Sequence, residues 1–220
     1  KKNYPSLLVI ADLCNCQYTT HGHCGTIVDG DVDNDLTVKN LSKQAVSLVK
    51  AGADVIAPSD MMDGRILNIR KSLDEKGFQK TPIFSYSIKY ASAFYGPFRD
   101  AANNSPSSGD RKTYQMNYKN SEEALREVES DINEGADAVI IKPALSYLDI
   151  VSRVKRKFNI PIIAYNVSGE FSMVAAASDN NWVERVNIIF EILISMKRAG
   201  ANAIISYHAI EIAEKLNKDV

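Results

Sequence analysis

The thiols of this chain, Cys14, Cys16 and Cys24, all fall within Asp12-Leu13-Cys14-Asn15-Cys16-Gln17-Tyr18-Thr19-Thr20-His21-Gly22-His23-Cys24. Soft donors clustered directly behind an apolar run, here Leu7-Leu8-Val9-Ile10, suit zinc. Three protein ligands rather than four leave a position for water or substrate, as in catalytic rather than structural zinc. The spacing C-x-C-x₇-C is not that of a zinc finger, so two other readings stay open: His23 replacing one cysteine, or three unpaired thiols. The next reactive residue is Lys142, which ends Val139-Ile140-Ile141 and precedes Pro143. At a strand end inside a pocket, burial and a nearby cation both lower a lysine's pKa and free the amine to form a Schiff base. Lys89, two residues beyond Ile83-Phe84-Ser85-Tyr86-Ser87, is a candidate for that cation. A solvated or ion-paired side chain is the plain alternative for either lysine.

These residues need a scaffold that brings them together. Short apolar runs at Leu7–Leu13, Asp54–Pro58, Pro82–Ser87, Ala138–Lys142, Pro161–Asn166 and Ala203–Tyr207 read as buried strands. Between them, apolar residues recur with helical period: Leu41, Ala45, Leu48 and Val49; then Leu125, Val128 and Ile132; then Val183, Val186, Phe190 and Leu193. Asn120 with Glu123, and Asn181 with Glu184, have capping-box spacing. Gly52-Ala53-Asp54, Gly135-Ala136-Asp137 and Gly200-Ala201-Asn202 form a weak repeat in which a helix ends on glycine and a strand begins. Repeated βα units build a doubly wound sheet or a (β/α)₈ TIM barrel, and no strand is followed by G-x-G-x-x-G, which favours the barrel. About six of its eight units are visible. A barrel gathers its strand ends at one mouth, here Asp12, Ser59-Asp60, Lys89, Lys142, Tyr165 with Ser168, and Tyr207-His208.

The stretch from 95 to 118 has breaker-rich composition and no periodicity, and it reads as a loop within the single domain 1–220. Arg99, Arg111 and Lys112 make it a candidate lid over a carboxylate substrate, with an ordinary polar surface loop as the alternative. Composition narrows the partners. With 26 basic and 27 acidic residues the formal net charge is −1, which gives no basic excess for nucleic acid. No run of about 18 apolar residues is present to span a bilayer. Three clustered cysteines without a secretory signal point to a reducing compartment, the cytoplasm first, although a processed organellar form would look the same.

The motifs together resemble the porphobilinogen synthase (5-aminolevulinate dehydratase) family over nearly the whole chain. The cysteine segment through Gly25 is similar to the family's zinc segment. Ala57-Pro58-Ser59-Asp60-Met61-Met62-Asp63-Gly64-Arg65 is a second hallmark. Ser85 to Ala102 resembles its first lysine segment, and Ile141-Lys142-Pro143 with Tyr147-Leu148-Asp149-Ile150-Val151 its second. Val167-Ser168-Gly169-Glu170-Phe171 is also characteristic.

The resemblance implies a barrel enzyme of tetrapyrrole (haem) biosynthesis, condensing two molecules of 5-aminolevulinate to porphobilinogen with loss of two waters. By the same resemblance Lys142 holds the first substrate and Lys89 the second, both as Schiff bases. Ser168 and Tyr207 bind the first carboxylate, and Arg99, Arg111 and Gln115 surround the second substrate. Cys14, Cys16 and Cys24 place the chain in the zinc-dependent branch, with zinc acting as a Lewis acid, and Glu127 matches a ligand of allosteric Mg²⁺. The resemblance further implies a homo-oligomer, an octamer, and roughly a further third of chain ahead of the matched region, carrying an arm and the first two barrel strands. The alternatives are a class I aldolase, which needs one Schiff base and no zinc, and an inactive truncated paralogue with a binding or assembly role.

Overall fold

The computed structural model describes residues 1–107 and 109–217; Ser108, inside the expected lid, and residues 218–220 lie outside the described residues. In chain order the elements are β1 (Ile10–Leu13), β2 (Thr26–Val28), β3 (Asp31–Asp33), α1 (Asn34–Lys50), β4 (Val55–Pro58), α2 (Arg65–Glu75), β5 (Phe84–Lys89), α3 (Gly96–Ala101), α4 (Glu123–Glu134), β6 (Ala138–Lys142), α5 (Leu148–Lys157), β7 (Ile162–Asn166), α6 (Ser168–Asp179), α7 (Arg185–Ala199), β8 (Ala203–Ser206) and α8 (Ala209–Leu216).

Strands β1 and β4 pair in parallel from Ile10 opposite Val55 to Leu13 opposite Pro58. The parallel bridge between Ile56 and Ile83 carries the sheet on towards β5, and β5-β6-β7-β8 continue it in the same sense. Among the described residues this is a parallel arc of β1, β4, β5, β6, β7 and β8, the TIM-barrel wall that the alternating pattern implies, with helices packed outside.

Alternation along β6 decides where the chemistry points. Val139 and Ile141 pack with Val128 of α4 and Val151 and Val154 of α5. Ala138 and Ile140 pack on the other face with Ala57, Tyr86 and Ile163. Lys142 therefore shares the inner face, and a register slip of one residue would turn it towards the helices. Ile140 and Ile141 are fully buried, so truncating either to alanine costs about 2–5 kcal/mol and penalises such a slip.

The glycine repeat has a physical basis that the sequence pattern alone does not expose. Gly52, Gly135 and Gly200 all have positive φ, between 105° and 125°, where a side chain would be strained. The acid or amide two residues later then clamps the neighbouring strand. Asp54, Asp137 and Asn202 each accept a hydrogen bond through the side chain from the backbone N–H of Val9, Ile83 and Ile162, at 2.7–3.0 Å. Their own N–H groups donate back to the carbonyls of the same three residues. Each unit is thereby locked in register to the one before it.

Four local expectations need correction. The first strand starts at Ile10 rather than Leu7, because Leu7 and Leu8 stand exposed outside the sheet. Asn181 does not cap a helix: it has φ 58°, and Glu184 is itself the N-cap of α7, its carboxylate accepting from the N–H groups of Val186 and Asn187. The hairpin β2–β3 was not anticipated, although its turn Asp29-Gly30, with both φ positive, is a recognised hairpin signal. The Asn120–Glu123 pair is not a capping box either, because the N-cap of α4 is Glu122 and its side chain makes no cap hydrogen bond. The Asn120 side chain accepts from Glu123 N–H, while the Glu123 carboxylate takes the Asn120 side-chain amide rather than its backbone N–H.

Candidate active site

Lys89 and Lys142 are direct neighbours, at paired positions on β5 and β6. Both side chains are buried. The Lys142 ammonium nitrogen lies 4.3 Å from the Tyr165 ring centre and 5.3–5.7 Å from those of Tyr86, Tyr95 and Phe98, inside an aromatic box. Burial and then the neighbouring Lys89 push its pKa down to about 8, against a weaker opposing pull from Asp12, Cys14 and Cys16. At pH 7 that leaves about 10% of the amine neutral, against about 0.03% for an ordinary lysine.

Lys89 has the opposite balance. Burial disfavours its charge, but the sulfurs of Cys24, Cys14 and Cys16 together with Asp12 hold its pKa above the usual value. Its ammonium donates to the Ser59 carbonyl, and the Ser59 hydroxyl donates to Asp12 at 2.6 Å. Asp12 and Ser59, noticed in the sequence only as strand-end residues, thus anchor the second lysine. Asp60, the next residue, is fully buried beside Arg65, and burial lifts its carboxyl to about 6 despite that cation.

The three thiols converge. The sulfurs of Cys14, Cys16 and Cys24 lie within 4.8 Å of one another, and those of Cys14 and Cys16 are 3.4 Å apart. Tetrahedral zinc at about 2.3 Å from each sulfur requires separations of about 3.8 Å, so the donor set fits that metal with small adjustments. S–H donation from Cys14 and Cys16 pushes the Cys24 thiol well down despite its burial, the arrangement of a proton-sharing cluster. His23 faces elsewhere, its Nδ1 3.1 Å from the Tyr114 hydroxyl.

The expected anion-binding residues divide into two groups around Lys142. Cys16, Ser59, Lys89, Arg111 and Lys142, with Tyr95 and Phe98, line a cavity of about 20 Å³, room for about one water. Ser168, Tyr207 and Tyr165, with the same Tyr95, Phe98 and Lys142, line a second of about 10 Å³. Ser168 accepts from Phe98 N–H at 3.1 Å. On the lid side, Nε of Arg99, Nε of Arg111 and both amide atoms of Gln115 are buried with no hydrogen-bond partner. Burial and the nearby Arg111 push the Arg99 guanidinium down. Unsatisfied cationic donors facing each other are costly unless an anion joins them.

The stretch 95–118 differs from a plain loop. A 3₁₀ turn at Ala93–Tyr95 runs into α3, where Pro97 in the first turn suits a helix start. The remainder is tied down by its own hydrogen bonds, Arg111 donating to the carbonyls of Gly22 and Asn104 at 2.7 and 2.5 Å. Glu127 lies on α4 away from both cavities. It is half-buried, and burial followed by Asp131 raises its pKa. Among the described residues, the group of close metal-ligating atoms is the cysteine triad, and Glu127 belongs to no such group. No helix among the described residues is long and apolar enough to cross a membrane.

Reactive groups at the carboxyl ends of successive parallel strands define a TIM-barrel enzyme with its site at the barrel mouth. The sequence comparisons narrow this class. The model of the family described as delta-aminolevulinic acid dehydratase matches residues 1–215, and the chain belongs to that hydro-lyase family. It is similar to the delta-aminolevulinic acid dehydratase of Bacillus subtilis, 57% identical over 98% of this chain and 67% of the relative, and to that of Staphylococcus aureus, 58% identical over 99% and 68%. Among solved structures, delta-aminolevulinic acid dehydratase (porphobilinogen synthase) of Toxoplasma gondii in complex with its reaction product porphobilinogen superposes with a TM-score of 0.98 at 46% identity. That match covers 100% of this chain and 63% of the other, so the chain spans about two thirds of the length of its relatives.

Proposed function

We propose that the protein containing this chain is a porphobilinogen synthase that joins two molecules of 5-aminolevulinate, releasing two waters. The observation that carries this reading is the pair Lys89 and Lys142, adjacent on β5 and β6 in one cavity beside three converging thiols. Lys142, the amine with the lowered pKa, attacks the ketone of the first substrate; loss of water gives an imine. Ser168 and Tyr207 hold that substrate's carboxylate from the second cavity. Lys89 forms the second imine once it gives up the proton that the sulfurs and Asp12 favour, and Arg99, Arg111 and Gln115 take the second carboxylate. An imine is more electrophilic than the ketone and acidifies its neighbouring C–H bonds, which is what carbon–carbon joining of two such molecules requires. Separate clamps keep the two carboxylates apart while the reacting carbons are held close. A carbon of one substrate attacks the imine carbon of the other, whose lysine is eliminated as the C=C bond forms. The amino group of that other substrate displaces the remaining lysine to close the ring, so both lysines leave as free amines and the two waters are those lost on imine formation.

Cys14, Cys16 and Cys24 would hold zinc, which supplies Lewis acidity next to the second substrate. Glu127 is retained as a proposed site of regulatory Mg²⁺, supported by its half-buried acidic surroundings. A homo-oligomer in the cytoplasm fits the exposed apolar side chains Tyr4, Leu7 and Leu8 and the unpaired thiols. The cavities have room for about one water each in this conformation, so entry of substrate requires Phe98 and Arg111 to move, and residues 95–118 act as the lid.

The test is product formation. Full-length protein supplied with 5-aminolevulinate and zinc is expected to release one porphobilinogen per two substrates consumed. Consumption without that product, or an aldol cleavage activity indifferent to zinc, would move the chain to the single-imine aldolase reading.

A further inference from the structure

Asn104 stands apart from the clamps and lysines of the two cavities, yet it joins two of their regions. It lies just beyond α3, in the expected lid, and is 2% exposed. Its side-chain nitrogen is 3.7 Å from the sulfur of Cys16, within reach of an N–H···S hydrogen bond, while its side-chain oxygen is buried without a partner. The backbones around it run against the cysteine segment. Arg111 bridges the carbonyls of Asn104 and Gly22, and Ser107 N–H donates to the His21 carbonyl at 3.1 Å. The fit at Gly22 is so close that a Cβ there would stand 2.6 Å from the Ser105 carbonyl oxygen and 2.9 Å from that of Asn104. Among these tethers, Asn104 to Cys16 is a side-chain contact that ends on a sulfur.

We infer that Asn104 is a positioning residue of the thiol centre, a lid-borne amide that hydrogen-bonds the Cys16 sulfur and so couples lid closure to metal binding. The inference rests on the reading that Cys14, Cys16 and Cys24 hold a metal. A hydrogen bond to a coordinating sulfur orients the ligand and spreads its charge, and loss of such an outer partner typically lowers metal affinity about 10–100-fold. Coupling is reciprocal: if the closed lid tightens the metal, the metal holds the lid closed by the same factor. Until the lid is down, the amide is absent from the sulfur and the centre is more open to solvent and substrate.

The experiment compares full-length wild-type protein with Asn104→Leu, Asn104→Ala and, as a control, Asn103→Gly, a neighbour whose φ of 46° glycine tolerates. Zinc affinity is measured by chelator competition, lid exposure by hydrogen exchange of 98–118 with and without zinc, and the sulfur environment by the charge-transfer band of the cobalt-loaded protein. In wild type, zinc is expected to slow exchange in the lid. Both Asn104 variants are expected to bind zinc about tenfold more weakly, to lose the zinc dependence of lid exchange and to shift the cobalt band, while Asn103→Gly does none of these. Agreement between the leucine and alanine variants guards against a packing artefact of either. Wild-type affinity, band position and zinc-dependent exchange in the Asn104 variants would overturn the coupling and leave the metal reading intact. A wild-type protein that binds no zinc or cobalt through these cysteines would overturn the metal reading itself.

Discussion

The two halves of the site are built differently. Around Lys142 the walls are aromatic side chains from β5, β7 and the turn before α3, and Ser168 sits at the first residue of α6. Around Lys89 the walls include loop residues, Cys16 and Gln17 of the cysteine segment, Ser59 and Arg111, with Nε of Arg111 buried and unpaired. The first half is already complete as a low-dielectric pocket that holds a lysine partly neutral. The second keeps its lysine charged and leaves Nε of Arg99 and Nε of Arg111 without a hydrogen-bond partner. On the proposed reading the first substrate enters the aromatic half once Phe98 has moved, and the second supplies the anion that the other half lacks.

The most severe break of this comparison is at Lys142 itself. Lys142→Ala is expected to abolish turnover, a loss of more than about a thousandfold, and to remove the borohydride-trapped 5-aminolevulinate adduct from its peptide, as for any enzyme losing its covalent nucleophile. An undiminished adduct elsewhere would assign the first Schiff base to another lysine. Next in size is the thiol centre. The double variant Cys14→Ala, Cys16→Ala is expected to lower bound zinc from about one per chain to near none and activity by roughly a hundredfold or more, checked by metal analysis and assay. Unchanged zinc content would show that the metal lies elsewhere.

The construction of the two halves also decides how far the sequence shows them. The strands and their ends are legible because buried parallel strands read as apolar runs and a barrel collects the residues at their carboxyl ends in one mouth. Lys142 and its inner-face direction come from that logic alone, while the pairing of roles with Lys89 comes through the family resemblance. The aromatic box is not legible. Tyr86 and Lys89 are three apart, which simple alternation puts on opposite faces, yet the register shift between Ser85 and Ile88 brings both to Lys142. Asn104 and Tyr114 escape sequence reasoning because they meet the cysteine segment across about 90 residues, and no local spacing carries such a contact. The lid reads as shapeless because Gly96-Pro97 looks like a breaker, whereas a proline in the first turn also starts a helix, here α3.

The arginines give an intermediate effect that sharpens the contrast between halves. Arg99→Ala or Arg111→Ala should remove one charge-assisted contact worth about 1.5–3 kcal/mol and lower kcat/KM by about ten- to a hundredfold. Trapping of the first substrate on Lys142 should stay near normal, because on the proposed reading its carboxylate is held by Ser168 and Tyr207 instead. Equal damage to trapping and turnover would show that the two halves are not assembled separately. In wild type, protease cleavage within 98–118 should slow when product is added.

The smallest expected effect asks whether the halves, though built separately, are electrically linked. Lys142 owes its lowered pKa first to burial and second to the Lys89 cation. The neutral amine is the reactive form, so adduct formation at Lys142 should rise with pH through a midpoint near 8, the value at which its folded-state charge is half lost. Lys89→Met removes the repelling charge while keeping the volume, which favours protonated Lys142 and moves the midpoint upward. Burial in the aromatic box remains, so the midpoint should stay below the ordinary lysine value of about 10.5. The measurement is single-turnover trapping with borohydride across pH, read by mass on the Lys142 peptide, so that the lost turnover of the variant does not enter. A midpoint that stays put in Lys89→Met would make burial alone the cause and leave the halves electrically independent. A fall in the midpoint would mean that Lys89 stabilises the charged form of Lys142 rather than repelling it, contrary to the charge that the cysteine sulfurs and Asp12 sustain on Lys89.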